Sequence, residues 1–284
     1  MTDHPRHRIL VTGGAGLLAP FLLEAGQDHG RVDLTSRHDA QLPCDLADIA
    51  DVTALIRTAR PNAVIHCAAM TDVDGCEKDP DAADRGNRLT SENLASALPA
   101  DRQLVYISTD QVYPNVSGPH LEGTEAPVNA YGRSKLAGEQ VTLRHPRGVV
   151  LRTSFFGASR TPGRKSLSDF VVDSLKARKH ITLFSDVLFT PLHAKTLASL
   201  VFEIAGRGLT GIYNVASRDG FSKAEFGLKV AAHFGLQTDT AAIGRSATQS
   251  GRAIRSADLR LDPGRLEQML AREMPALQKE IEIL

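Results

Sequence analysis

An apolar run, Arg8-Ile9-Leu10-Val11, passes through Thr12 into Gly13-Gly14-Ala15-Gly16 and on to Leu17-Leu18-Ala19-Pro20-Phe21-Leu22. A strand that turns through three glycines into a helix restricts the architecture severely. Glycine permits the tight turn and a close backbone approach, and the helix start leaves N–H groups free. The turn opens a regular alternation. Strands are expected at 8–11, 31–35, 63–66, 103–108 and 148–152, separated by helices at 17–25, 48–59, 81–97 and 130–143. Strands alternating with helices predict a parallel sheet covered on both faces, which explains why these strands are almost wholly apolar. The fold expected is α/β, a doubly wound, Rossmann-like parallel sheet with a smaller C-terminal subdomain.

Beyond Arg152 the alternation loosens. Residues 157–166 read as a loop rich in Gly, Ser, Thr, Pro and Arg. A helix at 167–177, a strand at 181–184, a helix at 194–205 and a strand at 211–216 follow. The helix expected at 222–234 has Ser222 at its N-cap and Glu225 in the capping-box position. The tail from Pro263 contains one or two amphipathic helices. We therefore divide the chain into a dinucleotide-binding part, 1–156, and a mainly substrate-binding part, 157–284, with part of 181–216 returning to the sheet.

Charge excludes some functions. Thirty-three basic residues balance 33 acidic ones across 284 residues, so no electrostatic footprint for nucleic acid or an anionic membrane is present. No run approaches the ~20 apolar residues of a membrane span. Cys44, Cys67 and Cys76 lack a Cys-x-x-Cys spacing, and the N-terminal residues do not read as a signal peptide, which points to reduced thiols and a cytoplasmic protein. The ten histidines show no metal-ligand spacing, and Asp72-x-Asp74-Gly75 lacks the later ligands of a calcium loop, so no metal is expected and 72–75 is read as a turn. Cys67 is expected in the core, and His66 packed or hydrogen-bonded at a strand end.

The chemistry lies in Thr109 and in Tyr131-Gly132-Arg133-Ser134-Lys135. A phenol with an ammonium one helical turn later can deliver a proton, because a cation stabilises the phenolate left behind. A hydroxyl at the carboxyl end of the fourth strand can hydrogen-bond a substrate carbonyl; Ser108, adjacent, is the alternative donor. With a dinucleotide on the glycine turn, this set points to hydride transfer to or from a carbonyl. The tip of the second strand reads Ser36-Arg37, with Asp33 inside the strand. A hydroxyl and a guanidinium suit a ribose 2′-phosphate, so NADP(H) is the expected cofactor, with NAD(H) left open.

Several separated motifs now combine. They are Cys44-Asp45-Leu46-Ala47-Asp48, His66-Cys67-Ala68-Ala69-Met70-Thr71-Asp72-Val73-Asp74, Ile107-Ser108-Thr109-Asp110-Gln111-Val112-Tyr113, Tyr131 through Glu139, and Leu151-Arg152-Thr153-Ser154-Phe155. In this order the chain resembles the extended short-chain dehydrogenase/reductases and, within them, the dTDP-4-dehydrorhamnose reductase family. The resemblance implies that Thr109, Tyr131 and Lys135 are catalytic. It implies that Gly13, Gly16, Leu17, Leu18, Ser36, Arg37, Asp45, Leu46, Ala68, Ala69 and Thr71 contact the cofactor, together with Tyr131 and Lys135. Asn87 matches an asparagine of the family. Thr109, Asp110, Gln111, Phe155 and Arg164 are the expected substrate contacts, with Arg160 and Lys165 as further candidates for a nucleotide diphosphate.

The implied reaction is reduction of the 4-keto group of a nucleotide-activated deoxysugar. Two alternatives stay open: a non-catalytic, dinucleotide-binding regulatory subunit and a nucleotide-sugar epimerase of the same superfamily. A homodimer is also kept open. Gln111 stands where the family carries an aromatic, and Phe155 where it carries a tryptophan, so the particular sugar is left undefined.

Overall fold

The computed structural model describes residues 7–37, 41–246 and 252–284. They group into two compact units, and the chain passes between these more than once. The first contains the residues up to Ser108 with Ala130–Leu151 and Ala198–Ile212; the second contains Thr109–Asn129, Arg152–Leu197 and Tyr213–Leu284.

The first half of the chain supplies β1 (Arg8–Thr12), α1 (Ala19–Ala25), β2 (Arg31–Ser36), β3 (Leu42–Pro43), α2 (Ile49–Ala59) and β4 (Ala63–His66). Next come α3 (Val73–Lys78), α4 (Pro80–Asp84), a π-helical turn at Arg85–Leu89, α5 (Thr90–Ala97) and β5 (Gln103–Ile107). A 3₁₀ turn at Asp110–Val112, α6 (Ala130–Thr142) and β6 (Gly148–Arg152) follow. The rest is β7 (Phe155–Phe156), α7 (Leu167–Lys176), β8 (Ile181–Phe184), β9 (Leu188–Phe189), β10 (Leu192–His193), α8 (Ala194–Gly206), β11 (Gly211–Asn214), β12 (Phe221–Ser222) and α9 (Lys223–His233). The last elements are β13 (Ala241–Gly244), β14 (Asp258–Leu259), α10 (Gly264–Leu270) and α11 (Leu277–Ile281).

A seven-stranded sheet of order β11-β6-β5-β4-β1-β2-β3 organises the first unit. The strands from β1 to β6 pair in parallel. Every residue of β4, β5 and β6 is buried, as a sheet covered on both faces requires. Leu10, Val64 and Leu104 pack against Val52, Leu55 and Ile56 of α2 and Leu94 of α5. Each such fully buried aliphatic side chain contributes about 1.5–3 kcal/mol, and β-branched residues suit the pleat. The order and the parallel pairing are those expected of a doubly wound, Rossmann-like α/β sheet.

The second unit is built from short strands. β12, β9 and β14 form one small sheet, while β10 pairs with β7 and β13 with β8. Phe156, Phe189 and Phe226 form its aromatic centre; Phe226 meets the other two rings edge-on at 4.9 and 5.4 Å. α7 and α9 each start in a complete capping box, Ser166 with Asp169 and Ser222 with Glu225.

Three local expectations are corrected. The first helix starts at Ala19, two residues late, because the Gly16 N–H turns back to the Gly13 carbonyl at 2.8 Å and Pro20 is tolerated only in a first turn. Residues 72–75 are not a free turn, since Asp72 precedes α3 directly and its carbonyl accepts the Cys76 N–H at 2.8 Å. The single helix expected over 81–97 is broken by the π-helical turn.

Candidate active site

In the first unit the glycine turn is a cradle of bare backbone. Gly13 adopts φ +73°, and a Cβ there would lie 2.8 Å from the Ala68 nitrogen. A Cβ on Gly16 would lie 2.9 Å from the Gly13 carbonyl oxygen. The Gly14 N–H donates to the Thr35 carbonyl at 3.0 Å, fastening the turn to β2. Thr12 fastens it to the segment after β4. Its Oγ1 accepts the N–H groups of Cys67 and Ala68, both at 3.2 Å, and shares a 2.7 Å hydrogen bond with His66 Nδ1. Burial, helped by the Lys135 charge, pushes the His66 pKa down to about 3, so this imidazole is neutral. Ala68 and Ala69 are half-buried beside the turn and Thr71 is exposed, while Cys67, expected in the core, is only half-buried. Leu18 is buried and Leu17 half-buried at the approach to α1.

Ser36 ends β2 and Arg37 follows it, exposed. Asp33 lies inside the strand, 3 % exposed, with its Oδ1 taking the Arg31 Nε–H at 2.8 Å. Among the described residues the strand tip therefore presents a hydroxyl and a guanidinium. Asp45 is exposed, with Oδ1 accepting the Ala47 N–H at 3.0 Å. The Leu46 side chain is buried, and its carbonyl accepts from Asn93 at 2.9 Å. A dinucleotide fits these residues: Gly13 and Gly16 leave no room for side chains, and the strand tip carries a hydroxyl and a guanidinium whose chemistry suits a phosphate.

Tyr131 and Lys135 occupy the first two turns of α6. Tyr131 is 8 % exposed and packs with Cys76, Ala83 and Ala130. Lys135 is 2 % exposed. Its Nζ donates to the Ile107 carbonyl at 2.7 Å and sits 3.9 Å from the centre of the Tyr106 ring. Burial drives its pKa down to about 7, partly opposed by Glu139. Glu139 in turn accepts the Ser108 hydroxyl at 2.5 Å. Ser108, the alternative to Thr109, is thus committed to a carboxylate that the sequence reading did not single out.

Asn87 is fully buried in the π-helical turn. Its Oδ1 accepts the Met70 N–H at 2.8 Å, and its Nδ2 donates to the Met70 carbonyl at 3.1 Å and to Ser134 Oγ at 2.8 Å. Ser134 Oγ donates to the Tyr131 carbonyl at 2.8 Å. One amide therefore ties the segment after β4 to the first turn of α6.

In the second unit, Thr109 caps the 3₁₀ turn. Its Oγ1 accepts the Gln111 N–H at 3.2 Å and donates to Asp110 Oδ1 at 3.1 Å. Asp110 is buried, which raises its pKa, and Gln111 Nε2 donates to it at 3.4 Å. Phe155 is half-buried in β7. Arg164 is exposed, and neighbouring Lys165 is engaged by Asp173 at 2.6 Å. Two features of this unit escaped the sequence reading. Arg152, fully buried, donates to Tyr113 Oη at 2.9 Å and to Glu125, and Tyr113 donates to Asn214 at 2.8 Å. The other is Lys223, half-buried at the start of α9, where burial lowers its pKa and Asp110 opposes this. No group of three or more metal-ligating side chains occurs among the described residues, and no helix is long and apolar enough to cross a membrane.

A parallel doubly wound sheet, a glycine cradle after β1 and a Tyr-x-x-x-Lys helix after β5 define an extended short-chain dehydrogenase/reductase. Within that class the chain belongs to the family described as RmlD substrate binding domain, whose model matches residues 7–284. It is 34% identical over 234 residues to the probable low-salt glycan biosynthesis reductase Agl14 of Haloferax volcanii, covering 78% of each chain. It is 30% identical to methionine adenosyltransferase 2 subunit beta of Xenopus laevis, over 82% of this chain and 73% of the relative. The crystal structure of dTDP-4-dehydrorhamnose reductase from Bacillus anthracis in complex with NADP is 25% identical, with a TM-score of 0.88 over 99% of this chain and 98% of that one.

Proposed function

We propose that the chain is an NADP(H)-preferring reductase of the 4-keto group of a nucleotide-activated deoxysugar. The observation that carries this reading is the buried Lys135 ammonium, held on the Ile107 carbonyl one helical turn from the Tyr131 phenol. Bound NADPH supplies the hydride. Tyr131 donates its phenolic proton to the carbonyl oxygen, and Lys135 in its cationic form stabilises the phenolate and draws the cofactor's ribose towards α6. Thr109 donates a hydrogen bond to the same oxygen as it gains charge. Gly13, Gly16, Leu17 and Leu18 take the pyrophosphate, Ser36 and Arg37 the 2′-phosphate, Asp45 and Leu46 the adenine, and Ala68, Ala69 and Thr71 the remainder. Asp110, Gln111 and Phe155 serve the sugar. The test is NADPH oxidation against a panel of dTDP- and UDP-linked 4-keto-6-deoxy sugars. Turnover of at least one is expected, and no oxidation with any of them removes the reading.

The likeness to an adenosyltransferase subunit favours a second reading, a dinucleotide-binding regulatory protein. Tight NADP binding without turnover on any member of the panel would select it.

A further inference from the structure

Two buried groups of opposite charge lie one turn apart on α6. Lys135 is 2 % exposed and Glu139, four residues on, is 1 % exposed. At that spacing two side chains project from one helix face, with Cβ atoms about 5–6 Å apart. The helix approaches β5 closely beside them. A Cβ on Gly138 would collide with Tyr106 Oη and lie 2.8 Å from the Asn87 carbonyl oxygen. Lys135 and Glu139 then grip consecutive residues where the strand ends. Lys135 Nζ donates to the Ile107 carbonyl at 2.7 Å, and Glu139 Oε1 accepts the Ser108 hydroxyl at 2.5 Å. The Ser108 N–H donates to the Leu151 carbonyl of β6 at 2.7 Å, so this strand end is held on two sides.

A buried ammonium is costly unless an anion answers it. The ionisable groups around Lys135 are Tyr131 and Glu139 on its own helix, Tyr106 of β5, His66 at the end of β4 and Cys67 after it. Burial keeps three of them neutral. It pushes the Tyr106 phenol well above its ordinary range, the Cys67 thiol up to about 12 and the His66 imidazole down to about 3. Glu139 is the acid that works against the burial of the ammonium. Anchoring Ser108 does not by itself require that charge, since any carbonyl oxygen accepts a hydroxyl. A carboxylate at this position does a second thing that an amide would not.

We propose that Glu139 is a positioning residue of the reaction: through its charge and its bond to Ser108 it holds the Lys135 ammonium, charged and in place, at the end of β5. It acts through Lys135 and not on the substrate. This role rests on the reductase reading above, but the link between Glu139 and Lys135 can be measured without any substrate.

Carbon NMR of the full chain, labelled at the lysine ε-carbons, makes that measurement. The Lys135 signal is identified by its loss in Lys135→Met and followed through a pH titration. Glu139→Gln keeps the volume and an acceptor for Ser108 but removes the charge. Its Lys135 midpoint should fall, so that the charged share at neutral pH drops about three- to tenfold. The pair Ser108→Ala with Glu139→Met removes both partners together, leaves neither one unsatisfied, and should lower the midpoint likewise. Ser108→Ala alone keeps the charge and should leave the midpoint where it is. With a sugar nucleotide, the alkaline limb of kcat/KM for Glu139→Gln should move to lower pH by the same amount. A midpoint equal to that of the unmodified chain in Glu139→Gln or in the double variant reduces Glu139 to an anchor for Ser108. That result overturns the assignment and leaves the reductase reading intact. A lowered midpoint in a chain that reduces no sugar nucleotide supports the link to Lys135 and removes the reductase reading instead.

Discussion

The ammonium of Lys135 lies 2.7 Å from the carbonyl oxygen of Ile107, the last residue of β5. That bond crosses from a helix to the carboxyl end of a central strand, the edge at which doubly wound sheets bind their ligands. Among the described residues that carbonyl accepts the ammonium's one hydrogen bond, and burial leaves the charge poorly compensated.

This poor compensation has a pH signature. Lys135 titrates at about 7 in the folded chain, against an ordinary 10.5. Between those values the unfolded chain holds more protons at this position, so its contribution makes stability rise with pH across that window. The melting temperature of Lys135→Met should show a flatter pH dependence from about 7 to 9.5. NADP binding at pH 8 should also take up protons, read by calorimetry in buffers of different ionisation enthalpy, and the variant should lose that uptake. An unchanged slope together with no uptake would refute the lowered pKa.

Arg37 is expected to set cofactor preference. The chain should prefer NADPH to NADH, and Arg37→Asp should shift the balance by about one to two decades towards NADH, the size of one guanidinium–phosphate contact. Steady-state kinetics with both cofactors decides it. Equal use of the two by the unmodified chain would be inconsistent with the reading of Ser36 and Arg37.

Tyr131→Phe removes one oxygen and little packing. Reduction should fall by about 10²- to 10⁴-fold, the usual contribution of a general acid, while NADPH binding persists. Fluorescence titration of NADPH and single-turnover rates separate the two effects. A variant that keeps more than a few per cent of the rate assigns the proton to another group.

Asn87→Ala strips three buried hydrogen bonds at once, leaving Met70 and Ser134 without that partner. Each buried group left unsatisfied costs about 1–3 kcal/mol, so a clear drop in denaturant midpoint is expected. Because Ser134 loses its tie to the segment after β4, cofactor affinity should fall as well. A variant with unaltered midpoint would show that water replaces the amide without loss.

Much of this was legible before any coordinates. Parallel strands buried on both faces must be short apolar runs, so β1, β2, β4, β5 and β6 stood out, and the glycine turn announced where the ligand edge begins. The capping box of Ser222 and Glu225 was visible because its chemistry is local. Lys223, directly after Ser222, was not: in sequence it is an ordinary first-turn lysine, and Asp110, whose charge acts on its ammonium in the fold, is far away along the chain. The two-residue strands β7, β9, β10, β12 and β14 are too short to show a period. Ser108 and Thr109 could not be separated by sequence, since only the fold shows that Glu139 takes the first.

The π-helical turn at Arg85–Leu89 has a further consequence for how the chain tolerates change. Successive residues of an α-helix are rotated by about 100°, so one residue added to a turn resets the angular phase of everything after it. Downstream of the turn, Leu94 points into the core with no exposed surface, and Asn93 reaches the Leu46 carbonyl. Loss of a single residue from 85–89 would therefore shorten the helix by little but turn α5 on its axis, swinging Leu94 out of its packing and Asn93 off its acceptor. Length variation here is quantised by angle, and insertions or deletions belong in the loops.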